Sequence, residues 1–296
     1  MGLTSEQRAA RRLAAALEPV VGQVYFSPEA HSNYESLGFD ASPTTVRGVA
    51  MPDGPAYFTS RGSLLGQVPG SVVAAAFGVF NPEVVDVCVG LGWTRTDAAT
   101  IRTARADGAV AQLRRILGPS PDGVELVAEA LGRGAAAAAV AGRPLAAGVQ
   151  ALDVPDDPLA AAWHHGDLLR EHRGDSHTAS WIGQGLTATE IGLLTELYWG
   201  LPMRSYSRTR AWSEAQFDAA EASLRERGLL DGDGFSEAGR TLRERIEVTT
   251  DAQVQPVLDA IGDDLGAVCD LMEPWGAAIR DAHGYPASGP HDLAAR

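Results

Sequence analysis

Lysine is missing altogether: every one of the 24 basic residues is arginine. That removes Schiff-base chemistry and any cofactor held through a lysine, pyridoxal phosphate among them. The bias itself fits high-GC coding. Cysteine is nearly absent too, with Cys88 and Cys269 far apart and no CxxC spacing. A disulfide framework and a structural zinc site are therefore disfavoured, and a reduced, cytoplasmic setting is the expectation. Long apolar runs are lacking as well. The alanine-rich run at 135–140 is short and lies close to Arg133 and Arg143, so no membrane partner is expected. Positive charge is in short supply, the formal net charge being −14. Such a chain repels a polyanion at long range, which disfavours non-specific DNA binding. No GxGxxG after a strand, no GxxxxGK[ST], no GxSxG elbow and no HExxH spacing occurs.

What remains is a chain of 296 residues, 45% hydrophobic and 21% charged, long enough for two domains that each bury a core. Its start, MGLTSEQRAARRLAAALEP, spaces its apolar residues as an amphipathic helix and not as a signal peptide. Helix signals follow throughout. Ser27-Pro28 and Asn81-Pro82 are helix starts with proline at the first helical position. A long helix at 96–117 should stop at Gly118-Pro119, and 123–151 reads as alanine-rich helix. The segment 153–158, DVPDDP, is the best domain boundary, giving an N-terminal helical domain at 1–152 and a second at 159–296. Beyond it, a helix at 159–172 should end at Gly174, with Asp175 or Ser176 capping a short helix through 182. Thr187-Ala-Thr-Glu190 and Ser213-Glu-Ala-Gln216 are capping boxes. The halves share one stretch: ADGAVAQLR (106–114) aligns without a gap with FDAAEASLR (217–225), which suggests an internal duplication. In that register Arg61 and Arg173 would meet across a pseudo-twofold axis.

The chemistry gathers at WHHGDLLREHRGDSHTASW (163–181), which holds His164, His165, His172 and His177, four of the seven histidines. If the chain breaks at Gly174, His177 folds back toward His172. Either histidine can then act as general base, with Asp175 orienting it and Arg173 stabilising an anion. No motif requires a cofactor, and the sequence assigns no metal ligand. Haem or a divalent metal at the histidine cluster stays open. Asp175 as a plain cap and Arg173 as a plain salt bridge explain half the motif without function. Tyr57 and Arg61 sit among small residues, where an arginine can fork onto a ligand carboxylate or onto an internal acid. A run at 197–212 interleaves Tyr198, Trp199, Tyr206 and Trp212 with Arg204, Arg208 and Arg210. That pattern suits stacking on a planar ligand, and equally suits a core with neutralising arginines.

Within 187–248, the order helix, helix, GLLDGDGF turn and FSEAGRTLRERIE resembles the winged helix-turn-helix of MarR-type regulators. The segments VYFSPEAHSNYESLGF, AYFTSRGSLLG, FGVFNPEVV, HRGDSHTA and LTELYWGLPMRSYSRTRAW are similar to an actinobacterial group of helix-turn-helix proteins. The resemblance implies a fold and no settled activity. The would-be recognition helix at 214–227 carries Glu214, Asp218, Glu221 and Glu226 against Arg225 and Arg227, an acidic surface where DNA would sit.

The expected protein is all-α, built of two related helical halves, the second a degenerate winged helix with at most a short β wing. Between them a cleft should be lined by Tyr57, Arg61, His172, Arg173, Asp175 and His177, with Tyr198, Trp199 and Arg204 contributing to its walls. The leading expectation is a protein that binds a small aromatic or natural-product-like molecule, to sequester it or in self-resistance. The alternatives are a hydrolase or isomerase using His172 or His177, and a MarR-like regulator. DNA is the disfavoured partner, and an oligomer is compatible with everything above.

Overall fold

The computed structural model describes residues 2–287. Among these the chain is all-α apart from two hairpins with strands of two residues each. Among the described residues no helix is long and apolar enough to cross a membrane.

Helix α1 (Ser5–Gly22) begins with a capping box at Thr4 and buries Leu13, Leu17, Val20 and Val21 along one stripe, the helical period expected of a half-buried helix. Proline-opened α2 (Pro28–Ser36) leads to the hairpin β1 (Thr45–Val46) and β2 (Val49–Ala50), turned by Arg47 and Gly48, both at positive φ. Then come α3 (Gly54–Gly62), α4 (Gly70–Phe77), α5 (Pro82–Gly92) and α6 (Ala98–Leu117). The expected helix at 123–151 is two, α7 (Val124–Ala137) and α8 (Pro144–Gln150). A proline at the head of α8 and a glycine at positive φ, Gly142, make the break.

Helix α9 (Pro158–Ile182) is the axis of the molecule, packed against α1, α6, α7, α8 and α12. The DVPDDP segment only starts it: Asp157 caps and Pro158 takes the first position. The helix does not stop at Gly174. A glycine inside a helix costs about 1 kcal/mol against alanine. Here, buried residues on both sides of it, from Leu168 to Trp181, hold the helix through that weak point.

Helices α10 (Ala188–Tyr198) and α11 (Glu214–Glu226), the hairpin β3 (Leu230–Asp231) and β4 (Gly234–Phe235), and α12 (Glu237–Ile261) form the winged unit. Its wing pairs Leu230 with Phe235 and Asp231 with Gly234. Helix α13 (Leu265–Asp281) returns to pack on α1.

Two apolar clusters result, and they do not follow the boundary at 153–158. The main one runs from Ala10 to Leu169 and takes in Val254 to Tyr285. The second, around Trp181, Ile191, Leu194, Phe217, Leu224 and Ile246, belongs to the winged unit. Both α9 and α12 pass through the two clusters, so the unit is joined to the body by two helices and not by a linker. The element order also departs from the register of the suspected duplication. A hairpin follows α11, whereas α7 follows α6.

Candidate functional site

Because α9 is unbroken, its 3.6-residue period decides which of its polar groups meet. Arg170, Arg173, Gly174 and His177 fall on one face, and all four line a cavity of about 540 Å³ between the helical body and the winged unit. Gly174 contributes room: a Cβ there would come no closer than 4.0 Å to its nearest neighbour, the Glu171 carboxylate. Further walls come from α1, α3, α10 and α12, and from the connection between α10 and α11. Of the residues expected in a cleft, Arg61, Arg173, His177 and Trp199 line this cavity.

The others lie elsewhere, each for a local reason. His172 and Asp175 share the opposite face of α9, toward α7 and α8. Asp175 accepts the backbone N–H groups of Leu145 and Ala146 at 3.0 and 3.1 Å, so it caps α8 from outside and does not orient His177. Burial pushes its carboxyl up to about 6 against the help of those N–H groups. His172 is 1% exposed, and burial, reinforced by Arg143, lowers it to about 4. The general-base pair expected of His172, Asp175 and His177 is therefore not assembled, since continuity at Gly174 turns the two imidazoles apart. Among the described residues no three His, Cys, Asp or Glu side chains converge as metal ligands. Tyr57 sits in an aromatic cluster with Tyr25, Phe58, Phe77 and Phe80. Tyr198 turns away from its neighbour Trp199 and donates to Glu244 at 2.9 Å. Arg204, at positive φ, clamps Glu214, Asp218 and Glu221 at 2.7–2.8 Å, one positive charge against three negative ones on α11.

Five guanidinium groups and three carboxylates line the cavity. Arg61 forks onto Glu171 at 2.9 and 2.6 Å, the arginine partly exposed and the acid fully buried. Arg170 holds Glu18 at 2.9 and 3.1 Å and stands 3.5 Å from Glu171. Arg173 reaches Glu247 at 3.2 Å and Asp251 at 3.0 Å. Arg243, 1% exposed, donates to Glu247 at 2.7 Å and lies 4.4 Å over the Tyr198 ring. Its Nε has no hydrogen-bond partner among the described residues. The fifth, Arg210, donates to the Tyr206 hydroxyl and has no carboxylate partner among the described residues. His177 places Nδ1 3.4 Å from Thr250 Oγ1 and 3.8 Å from a Glu247 oxygen. Burial outweighs Glu247 and lowers its pKa to about 4, so the ring is neutral at pH 7.

The connection bearing Tyr206 and Arg210 is itself built around a buried acid. Glu196 accepts the backbone N–H groups of Arg204 and Ser207, at 2.7 and 2.5 Å, and that of Tyr206. Asn81 and Trp212 then tie it to the body: Asn81 bonds the carbonyls of Arg210 and Ala211, and Trp212 that of Val79. Sequence reasoning marked the aromatic–arginine run but did not single out Tyr206 and Arg210 as wall residues. It missed Glu18, Arg170, Arg243 and Glu247 as cavity groups. The i,i+4 spacing of Arg243 and Glu247 was legible, their burial was not.

Fold and cavity together define an all-α protein in which a winged helix-turn-helix unit closes one side of a chamber with charged groups set among apolar walls. A helix-turn-helix family model matches residues 10–286, and the chain belongs to that family. No curated protein and no solved structure matches it.

Proposed function

We propose that this protein binds a small aromatic or natural-product-like molecule in the cavity between body and winged unit, and sequesters it. The observation that carries the reading is the chamber of about 540 Å³ with arginines, a neutral histidine and Trp199 on its walls. Its size is that of a drug-sized ligand site, with apolar walls and a few placed polar groups.

Membership of a helix-turn-helix family speaks for the fold of 187–248, and DNA binding would need a positive surface that α11 lacks. Glu214 and Asp218 stand exposed on it, paired with Arg204, and Asp233 is fully exposed on the wing. The winged unit serves here as a wall. An enzyme acting through His177 is less well supported, because a base titrating near 4 is weak at neutral pH.

The test is native mass spectrometry of the protein purified from its own host, followed by isolation of any bound molecule. A stoichiometric adduct that Thr195→Trp, which fills the cavity from α10, abolishes is the expected result. An adduct indifferent to that substitution sinks the proposal.

A further inference from the structure

The cavity's charges do not balance, and the imbalance falls on one residue. Arg170 meets Glu18, Arg61 meets Glu171, and Arg173 and Arg243 share Glu247, with Asp251 behind Arg173. Among the described residues Arg210 alone of the five has no acid. Its guanidinium stacks 4.4 Å over the Phe80 ring and 4.7 Å over Tyr206, and its one hydrogen-bond acceptor among the described residues is the Tyr206 hydroxyl.

Stacking occupies the faces of a guanidinium and leaves its N–H edge, the part that forks onto a carboxylate. A half-buried cation without a counter-ion carries a desolvation cost that a ligand anion relieves. The group is also held in place. The 3₁₀ turn Ser207–Arg210 is fixed at one end by Glu196 and at the other by Asn81. Two more of the lining arginines carry a buried nitrogen with no hydrogen-bond partner among the described residues, Arg173 Nη1 and Arg243 Nε. Beside Arg210, the rings of Tyr206 and Trp199 lie 5.4 Å apart, an apolar surface against which a planar body can rest.

We infer that the cavity selects a planar aromatic monoanion, a carboxylic acid whose carboxylate docks on Arg210 while its rings lie against Trp199 and Tyr206. This rests on the ligand-binding reading above and narrows it: one spare positive charge calls for one negative charge. Neutral aromatics and dianions are both disfavoured, the first leaving Arg210 unpaired and the second bringing an anion toward Glu171 and Glu247.

The experiment uses matched pairs of probes that differ only in charge: naphthoate against naphthamide, and anthracenecarboxylate against anthracenecarboxamide. Titration calorimetry at pH 7.5 is run on the full chain, Arg210→Gln, Arg210→Lys and Thr195→Trp, each with a thermal melt to establish folding. The acid should bind roughly tenfold to a hundredfold more tightly than its amide, the worth of a charge-assisted hydrogen bond. Arg210→Gln should erase that ratio by weakening the acid far more than the amide, and Arg210→Lys should restore part of it. Equal binding of acid and amide, abolished by Thr195→Trp, keeps the cavity as a ligand site and overturns the choice of a monoanion. An acid preference that survives Arg210→Gln overturns the role of Arg210. Failure of both members of every pair to bind overturns the inference together with the reading it rests on.

Discussion

Replacing Glu171 by glutamine tests the electrostatics of the whole chamber. Glu171 is fully buried, forked by Arg61 at 2.9 and 2.6 Å and reached by the Tyr25 hydroxyl at 3.3 Å. Burial alone pushes its carboxyl up. The charge and hydrogen bonds of Arg61, with Arg170 and Arg105 behind, overcome that and bring it from an ordinary 4.5 down to about 2. A folded-state value below the unfolded one means stability that is present above about 4.5 and lost as pH falls toward 2. The drop corresponds to roughly 3 kcal/mol. An independent route gives a similar figure, since removing one partner of a buried ion pair costs about 3–5 kcal/mol. Urea unfolding of wild type and Glu171→Gln should therefore differ by roughly 3 kcal/mol at pH 7, equivalent to about 6–12 °C in melting temperature. The difference should shrink steadily below pH 4.5. A difference under about 1 kcal/mol, or one that stays level between pH 7 and pH 3, would refute the account, because the pair would then be no stronger than a surface salt bridge.

Asp175 carries the opposite sign. Its folded-state value of about 6 lies above the ordinary 3.8, so its contribution is complete below 3.8 and is lost as pH rises through 6. Asp175→Asn should remove that component from the pH–stability curve, and an unchanged curve counts against the assignment. His177, lowered to about 4 by burial, should show no imidazole titration by NMR between pH 5.5 and 8; a midpoint near 6.5 would place it in water. Arg204→Ala strips α11 of a clamp on Glu214, Asp218 and Glu221 and should cost about 1–2 kcal/mol at low salt and less at high salt. A melt indifferent to both the substitution and the salt contradicts this. Fluorescence anisotropy with duplex DNA at low salt should detect binding no tighter than the weak end of non-specific complexes, about 10⁻⁴ M. A tighter complex with a steep salt dependence would restore a DNA-reading role.

The sequence by itself determined the helical fold. Caps at Thr4, Ser27, Asn81, Thr187, Ser213 and Ser236 each start a helix or turn of the kind their side chains favour, since capping is satisfied locally. It also determined the short wing and placed Arg61, Arg173, His177 and Trp199 among the residues of interest. The tertiary structure alone decided whether α9 stops at Gly174, because the weak local preference of one glycine is outweighed by burial of its neighbours along the helix. That single outcome sent Asp175 to cap α8, separated His172 from His177, and brought Arg170 and His177 onto the cavity face. Pairing was decided at long range too. Which acid each arginine takes depends on chain segments more than 100 residues apart for Arg61 and Glu171, and no local pattern records that Arg210 is the one left over.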